Sequence, residues 1–336
     1  MNFAAIILAA GKSKRMKSAL PKAAHPICGK PIGRHIADAC FGAGVEQVVV
    51  VVGHEADAVR QAIGGDVQYA VQDDQRGTGH AAMQAMRLIE RTHVLILPGD
   101  TPLITPEALR ALMTSHQESG AAATLLTAVL DEPGSYGRVV RGPDGGVERI
   151  VEAHDAPAEV LAANEVATSI YCFKAPLLRE CLVELRTDNV QGEYYLTDTI
   201  GILRRKGHAV HAVAAADPRD TLGINTRIEL AEAVGVMRRR VLNALMLDGV
   251  TVVDPGTTYV DVGVTIGRDT IVHPCTVIEG RTVIGERCTV GPLSRLANAR
   301  VGNNVRVELS AVVNAALPDG AHIGPFQCAE EQVGNQ

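Results

Sequence analysis

The chain has 336 residues, of which 46% are hydrophobic and 21% charged, so it can bury a sizeable core and is not globally disordered. Its net charge of −6 and aromatic content of only 3%, without any tryptophan, argue against a nucleic-acid partner. A chain of this length is typical of two domains rather than one.

The cysteines and the N-terminus predict a cytoplasmic protein. The seven cysteines are an odd number and include no CxxC pair, which indicates reduced thiols. The first apolar run has no basic leader before it, unlike a signal peptide. No apolar stretch approaches about 20 residues, so no membrane partner is expected.

In chain order, the first two thirds alternate apolar runs with segments of helical spacing. The apolar runs favour strands buried on both faces, as in a parallel sheet, and cover residues 4–9, 46–53 and 94–97. The helical segments cover residues 31–43, 55–63 and 80–90. This alternation predicts βαβ units with right-handed crossovers.

Two further elements follow this alternating region. Residues 136–152 contain two alternating runs around Gly-Pro-Asp-Gly-Gly, which predicts a β-hairpin. A long stretch of helical character covers about residues 227–247.

From Ile266 onwards, aliphatic residues recur at every sixth position. The first series is Ile266, Val272, Ile278, Ile284, Val290 and Leu296. After a one-residue slip, the series resumes at Val301, Val307 and Val313. A period of six is the signature of a parallel β-helix, in which one aliphatic residue per short strand fills the interior.

These patterns divide the chain into an α/β domain, a helical linker, a short β-helix and a tail. The corresponding residue ranges are 1–226, 227–249, 250–327 and 328–336, and we expect the polar tail to be frayed.

The loop after the first predicted strand is rich in positive charge. Gly11 is followed by five cationic residues and no acid: Lys12, Lys14, Arg15, Lys17 and Lys22. At the carboxyl end of a parallel strand, free backbone N–H groups and cations suit phosphate oxygens. The spacing matches neither the dinucleotide fingerprint nor the GxxxxGK[ST] loop, and a solvated basic turn explains the charge run equally well.

Seven motifs in a fixed order connect this loop with the rest of the chain. They are LAAGKSKRM followed by Pro21-Lys22, QRGTGHA (75–81), GDTPL (99–103), SYGRV (135–139), IVE (150–152), QGEYYLTD (191–198) and INTR (224–227). The set resembles the sugar-1-phosphate nucleotidyltransferases, in particular the bacterial N-acetylglucosamine-1-phosphate uridylyltransferases, which form the amino-terminal half of a bifunctional uridylyltransferase/acetyltransferase. The resemblance covers nearly the whole chain. It implies an α/β fold with a Rossmann-like nucleotidyltransferase domain and a mostly parallel sheet, followed by a short left-handed parallel β-helix.

The resemblance also implies the site residues. Nucleotide binding falls on Leu8, Ala9, Ala10, Gly11, Lys22, Gln72, Gly77 and Thr78, with Gln75 as a weaker candidate for uracil recognition. The catalytic residues are Arg15, Lys22 and Asp100, the ligands of a Mg²⁺ cofactor are Asp100 and Asn225, and the sugar-binding residues are Gly137 and Glu152. Cations and Mg²⁺ suit this reaction because attack on the α-phosphorus of UTP spreads negative charge over its oxygens while pyrophosphate leaves.

Several of these residues have a purely structural alternative. Thr78 is placed to cap the following helix, and Asp100 to cap a helix or turn near Thr105. Glu152 could be a solvated charge on a hairpin, and Gln72 an ordinary loop residue.

The chain departs from the family pattern in two motifs. The family usually reads GxGTRM in the first loop, whereas this chain has Ser13 and Lys14 in place of the second glycine and the threonine. Where the family has Asn-Thr-Gly in a strand that contacts the sugar, this chain has Ala167-Thr168-Ser169. Ala167 offers no side-chain hydrogen bond, so the acceptor could be a different sugar phosphate.

The resulting hypothesis is a Mg²⁺-dependent uridylyltransferase that makes UDP-N-acetylglucosamine and pyrophosphate from UTP and the sugar 1-phosphate. Alternatives are another sugar or nucleotide, a nucleotide-sugar-binding protein without turnover, and a hexapeptide acyltransferase. No lysine follows Lys206 and the chain ends at Gln336, so we expect no acetyltransferase site; His273 and His322 fit surface roles better than acyl transfer. Related β-helices associate side by side, so we expect a homotrimer.

Overall fold

The structure is a computed structural model that describes residues 2–11, 13–143 and 145–330. Parts of three sequence predictions lie outside the described residues. They are Lys12 and the side chain of Lys14 in the basic loop, Asp144 in the hairpin, and residues 331–336 in the tail. The chain forms two compact units. The first comprises Met1–His25 and Pro31–Glu229, and the second comprises Pro26–Lys30 and Leu230–Gln336.

The first unit contains most of the longer elements. Its strands are β1 (Phe3–Leu8), β4 (Gln47–Val52), β5 (Gln68–Val71), β6 (His93–Pro98), β7 (Ala123–Val129), β8 (Gly137–Arg141), β9 (Val147–Val151), β10 (Glu165–Lys174) and β11 (Val210–Ala214). Between β1 and β4, the chain forms the short paired strands β2 (Pro26–Ile27) and β3 (Lys30–Pro31), of which residues 26–30 belong to the second unit. The helices are α1 (Ile32–Gly42), α2 (Ala56–Ile63), α3 (Thr78–Met86), α4 (Pro106–Ser119), α5 (Ala158–Leu161), α6 (Ala175–Glu184) and α7 (Asp198–Arg205). Short 3₁₀ turns cover Lys14–Met16, Lys22–Ala24 and Pro218–Thr221.

The main sheet has nine strands and is mostly parallel. Seven of them run in the order β11-β7-β10-β6-β1-β4-β5, and the hairpin β8–β9 attaches to β10. β1 pairs in parallel with both β4 and β6, so that Ile6 lies opposite Val49 on one side and Ile96 on the other. These three strands are the predicted apolar runs, and their aliphatic side chains are buried, with helices α1 and α3 packed against β1 and β4. The predicted α/β fold with a mostly parallel sheet is confirmed.

Strand β10 is the main element that the sequence analysis missed. It is antiparallel to both β6 and β7 and separates them. Its pairing with β7 shifts register between Ala167 and Tyr171, and this bulge interrupts the regular pattern on which strand prediction depends. The third predicted helix also differs, since α3 begins at Thr78 directly after Gly77, whose φ of 104° is outside the helical region.

The second unit contains helix α8 (Arg227–Leu247), which begins at the end of the first unit, and a β-helix. The strands of the β-helix are β12 (Thr251–Val252), β13 (Tyr259–Val260), β14 (Thr265–Ile266), β15 (Ile271–Val272), β16 (Val277–Glu279), β17 (Val283–Ile284), β18 (Thr289–Val290), β19 (Arg295–Ala297), β20 (Arg300–Val301), β21 (Arg306–Val307), β22 (Ala311–Val313), β23 (Ala316–Leu317), β24 (His322–Ile323) and β25 (Cys328–Glu330). Each strand from β12 to β22 pairs in parallel with the third strand after it, which gives three parallel sheets. Within the described ranges, no helix is long and apolar enough to cross a membrane.

The predicted aliphatic column is buried inside the β-helix with one correction. Eight of the nine predicted positions are buried, but at the ninth Val312 faces inward instead of Val313. Val312 pairs with Leu296, because the turn between β21 and β22 is one residue shorter than the hexad rule assumes. The predicted frayed tail also differs at its start. Residues 328–330 form β25, which pairs with β22 and thereby satisfies its backbone groups.

Candidate active site

A cleft lies at the carboxyl edge of the main sheet, where β1 and β6 end. The strand order reverses at this point, since β4 and β5 follow β1 on one side and β6 lies on the other. Such a crevice is where open α/β sheets bind ligands. The Gly99 N–H donates to the Leu8 carbonyl at 2.9 Å, and a Cβ atom on Gly99 would lie only 2.6 Å from that oxygen. Glycine is therefore required for the two strand ends to approach each other.

Three adjoining cavities make up this cleft. The first, of about 230 Å³, and the second, of about 830 Å³, share Leu8, Gly11 and Thr78 in their walls. The third, of about 240 Å³, shares Gly11, Ser13 and Lys22 with the first. The predicted loop after β1 therefore borders all three cavities.

Four predicted site residues meet in the wall of the cleft. Lys22 Nζ donates to Asp100 Oδ2 at 2.6 Å and to Asn225 Oδ1 at 2.9 Å. Arg15 Nη2 donates to the same Asn225 oxygen at 2.8 Å. We call these four residues the polar cluster. It joins two cations to two hard oxygen donors from three distant parts of the chain.

The local fold explains where Asp100 and Asn225 lie. Asp100 lies two residues after the end of β6, and its carbonyl accepts a hydrogen bond from Ile224 N–H at 2.9 Å, which holds the two loops together. The structural alternative for Asp100 does not apply, because the side chain of Thr105 caps helix α4 by accepting from Ala108 N–H.

Asn225 is held by a capping box that the sequence analysis did not identify. Glu229 Oε2 accepts from the backbone N–H groups of Asn225 at 2.6 Å and Thr226 at 2.7 Å. In return, Thr226 Oγ1 accepts from Glu229 N–H at 3.2 Å. The sequence Thr-x-x-Glu at the start of a predicted helix is the signal that could have revealed this arrangement.

The donor set of the polar cluster fits Mg²⁺. Asp100 and Asn225 both place an oxygen within 3 Å of Lys22 Nζ, so the two oxygens lie close together and the lysine ammonium occupies the position between them. Among the described residues, no group of three or more histidine, cysteine, aspartate or glutamate side chains could hold a metal by itself. One carboxylate and one amide oxygen are sufficient for an ion that completes its shell with substrate phosphates and water.

The residues predicted to recognise the base line the largest cavity. Gln72 is buried, and its Nε2 donates to the Gly77 carbonyl at 3.1 Å and lies 3.0 Å from His80 Nδ1. A Cβ atom on Gly77 would lie 2.6 Å from the Tyr194 carbonyl. Thr78 does not cap helix α3, because it is the first helical residue and its hydroxyl accepts from Leu196 N–H at 3.0 Å. Ala10 and Gln75 also border this cavity.

The first cavity, which is the smallest of the three, is bordered by Glu152. It is also bordered by three residues that the sequence analysis did not predict, namely Ser169, Tyr171 and Thr197. Glu152 Oε1 accepts from Thr197 Oγ1 at 3.0 Å. Burial raises the pKa of Glu152 above its ordinary value, although the Thr197 hydrogen bond opposes this shift. Glu152 is therefore not the solvated hairpin charge of the structural alternative.

The two small residues near Glu152 lie behind the wall of this cavity. A Cβ atom on Gly137 would be 3.1 Å from Ile150 Cγ2 and 3.4 Å from Glu152 Oε2, so Gly137 leaves space for the glutamate side chain. Ala167 pairs with Gly137 in the sheet and is buried. Neither residue is part of the cavity lining.

Ser13, which replaces the second glycine of the family loop, takes up a glycine-like backbone conformation. Its φ is 49°, in the left-handed region, and its Oγ lies 3.3 Å from the Gly11 carbonyl as a hydrogen-bond donor. The loop therefore keeps the sharp turn for which a glycine would be the usual choice.

Comparisons with known proteins match both parts of the chain. Residues 5–194 match the family described as MobA-like NTP transferase domain, and residues 263–298 match bacterial transferase hexapeptide (six repeats). The molecule is therefore a nucleotidyltransferase that carries a hexapeptide β-helix.

Full-length relatives identify the family more closely. The chain is 44% identical over 324 residues to the bifunctional protein GlmU of Brevibacillus brevis and 47% identical over 324 residues to that of Acetivibrio thermocellus. It is 45% identical over 337 residues to the protein of the same name from Geobacillus thermodenitrificans. These alignments cover 96–98% of this chain and 70–73% of the relatives. The chain belongs to the GlmU family and is a sugar nucleotidyltransferase.

Proposed function

We propose that this protein transfers the uridylyl group of UTP to N-acetylglucosamine 1-phosphate and releases UDP-N-acetylglucosamine and pyrophosphate. The observation that carries the proposal is the polar cluster, which joins Arg15, Lys22, Asp100 and Asn225 in one cleft at the reversal point of the sheet. Two phosphorylated substrates bring several negative charges together, and this cluster provides cations and oxygen donors in the same place.

The reaction needs no covalent bond to the enzyme. An oxygen of the sugar phosphate attacks the α-phosphorus of UTP, and the bond to the pyrophosphate oxygen breaks. Arg15 and Lys22 offset the charge that develops on the phosphoryl oxygens, and the loop containing Gly11 orients the triphosphate. Positioning and charge neutralisation supply most of the acceleration in reactions of this type.

Mg²⁺ bound to Asp100 and Asn225 would neutralise phosphate charge and hold the two substrates together. The capping box contributes by fixing the backbone of Asn225 through the Glu229 carboxylate. Glu229 is therefore a positioning residue in the proposed site.

The remaining predicted residues have roles in substrate recognition. Gln72, Gly77 and Thr78 border the largest cavity, which we assign to the base. Glu152 borders the smallest cavity and accepts hydrogen bonds from sugar hydroxyls, while Gly137 leaves room for its side chain. This cavity of about 230 Å³ is the proposed binding site of the sugar 1-phosphate, and we call it the acceptor cavity.

A substrate panel tests the proposed function. Purified protein is incubated with each nucleoside triphosphate and each of several sugar 1-phosphates, with Mg²⁺ or with EDTA, and pyrophosphate release is measured. We expect the fastest release with UTP, N-acetylglucosamine 1-phosphate and Mg²⁺, and none with EDTA. Absence of pyrophosphate with every pair would refute the proposal, and nucleotide-sugar binding without turnover would favour a binding protein instead.

A second candidate is the same reaction with another sugar 1-phosphate or another nucleotide. The observation that favours another sugar is Ala167, which is buried and provides no side-chain hydrogen bond where the family pattern has an asparagine. Comparing pyrophosphate release among the sugar 1-phosphates of the panel distinguishes N-acetylglucosamine 1-phosphate from another acceptor.

The proposal also includes a homotrimer, a cytoplasmic location and no acetyltransferase activity. Sedimentation tests the trimer, which rests on the resemblance to β-helices that associate side by side. All seven cysteines are free thiols, as expected for a reducing compartment. An acetyl-CoA assay tests the expected inactivity, which rests on the absence of any lysine after Lys206.

A further inference from the structure

The hydroxyl of Tyr171 is buried in the wall of the acceptor cavity. Tyr171 lies on β10, is only 1% exposed and borders the cavity of about 230 Å³. Within the part of the chain that the structure describes, its Oη atom has no hydrogen-bond partner. A buried hydroxyl without a partner costs free energy, and a ligand group in the cavity would remove that cost.

The surroundings of this hydroxyl belong to the same cavity. Burial raises the pKa of Tyr171, the nearby Glu152 carboxylate raises it further, and the Ser169 hydroxyl lowers it. Both of these neighbours border the acceptor cavity. Tyr171 therefore packs in the hydrophobic core and also borders the acceptor cavity, close to Glu152 and Ser169.

Ser169 supports the same interpretation through its backbone. Its φ of 61° is in the left-handed region, which is unfavourable for a residue other than glycine. It lies in the bulge where the pairing of β10 with β7 shifts between Ala167 and Tyr171. Bulges redirect side chains, and strained residues occur often at binding sites.

We propose that Tyr171 and Ser169 form the specificity-determining contact of the acceptor site, in which their hydroxyls bind a hydrogen-bonding substituent of the sugar ring. The inference rests on the proposed function. The proposal places sugar recognition at Ser169 and Tyr171 on β10 instead of at Ala167, which has no polar side chain. A phenol both donates and accepts, so the substituent is a ring hydroxyl or an acetamido group.

The first experiment compares wild type with Tyr171→Phe. The substitution keeps the ring, whose centroid lies 5.7 Å from that of Phe173, and removes only the oxygen. We expect the KM for the sugar 1-phosphate to rise about 3- to 10-fold, as for loss of one neutral hydrogen bond, with the KM for UTP unchanged. The melting temperature should stay the same or increase, because a partnerless buried hydroxyl is removed.

Tyr195→Phe is the matched control. Tyr195 also has a buried hydroxyl without a partner among the described residues, but it does not border the acceptor cavity. We expect its acceptor KM to remain at the wild-type value. An unchanged acceptor KM in Tyr171→Phe, or an equal increase in both variants, would overturn the inference.

A series of acceptors identifies the substituent. Sugar 1-phosphates that differ in one ring substituent are compared in wild type and Tyr171→Phe, with 2-acetamido, 2-amino and 2-hydroxyl forms first and epimers at other positions next. The substituent bound by Tyr171 should affect the wild-type KM and have little effect on that of the variant. If no acceptor distinguishes the two proteins, the inference is wrong.

Calorimetry separates failure of this inference from failure of the proposed function. Binding of UDP-N-acetylglucosamine and UDP-glucose requires no turnover, and Tyr171→Phe should weaken at least one of them about 3- to 10-fold. Normal turnover with unchanged binding in the variant would overturn the inference alone. Weakened binding without any turnover in wild type would support the contact and refute the proposed reaction.

Discussion

The β-helix and the α/β unit use polar residues over very different sequence distances. In the β-helix, Asn298 accepts from Arg281 N–H 17 residues away, and Asp319 accepts from Asn303 N–H 16 residues away. In the cleft of the α/β unit, Asn225 accepts from Lys22 across 203 positions and from Arg15 across 210. The β-helix repeats one local rule, whereas the cleft depends on a meeting of distant segments.

This difference indicates which parts of the molecule determine stability and which determine function. Each coil of the β-helix contacts its neighbours, so its stability is close to a sum of local terms. Few residues of the polar cluster contribute to the hydrophobic core, but the proposed function depends on the position of each of them. We therefore expect substitutions in the cleft to remove activity, and substitutions in the β-helix interior to reduce stability.

The largest effect is expected for Asp100→Asn. The substitution keeps the size of the side chain but removes the charge that pairs with Lys22 and serves as metal ligand in the proposal. We expect kcat to fall about 10³-fold or more while the melting temperature changes little. Pyrophosphate release measures the first quantity and calorimetry the second.

Asp66→Asn is the matched control for this prediction. Asp66 forms an ion pair with Arg34 in the same unit but lies outside the cleft. Its kcat should remain at the wild-type value. Comparable loss of activity in both variants would mean that the cleft has no special dependence on Asp100.

A smaller effect, this time on stability, is expected for Ile284→Ala. Ile284 is 2% exposed and fills the β-helix interior between Ile266 and Val301, whereas Val283 on the same strand is 41% exposed. The cavity left by Ile284→Ala should reduce the free energy of unfolding of the β-helix by about 2–5 kcal/mol, with kcat per folded molecule unchanged. Val283→Ala should reduce the free energy of unfolding only slightly. Equal losses in urea unfolding would contradict the inward and outward assignment.

The smallest effect concerns Glu152. Because burial raises its pKa, the fold favours the protonated form; this stabilisation is present at low pH and is lost as the pH rises through the raised pKa. In the proposed site the acceptor binds the Glu152 carboxylate, so kcat/KM for the acceptor should fall on acidification at a higher pH than for an exposed glutamate. Glu152→Gln should increase the acceptor KM about tenfold, abolish this acid limb and keep or raise the melting temperature at neutral pH. If kcat/KM for the acceptor still decreases at low pH in Glu152→Gln, a group other than Glu152 causes that decrease.

Much of the fold could be predicted because its signals are local. The valine-rich run of β4 and the hexad column from Ile266 each report burial through residue type and spacing alone. The prediction was wrong at Val313 because a shortened turn shifts the register, and periodicity cannot detect the length of a turn in advance. β10 was missed because its bulge at Ser169 breaks the alternation on which strand prediction relies.

The candidate site was predictable only in part. The family motifs named Arg15, Lys22, Asp100 and Asn225, and the structure brings these four residues together, although their roles remain proposals. No local pattern could have named Tyr171, because its importance lies in a buried hydroxyl without a partner beside a cavity.

The sequence by itself determined three buried strands and the hairpin of the α/β sheet, most of the residues that fill the β-helix, and the motifs that relate the chain to its family, since all of these depend on residue type and spacing. Only the tertiary structure decided that the loops after β1 and β6 meet the loop before α8 at one cleft, and that β10 presents Ser169 and Tyr171 to it. The physical reason is that these contacts join residues far apart in the chain. Their geometry is set by sheet order, a bulge and a capping box rather than by neighbouring residues.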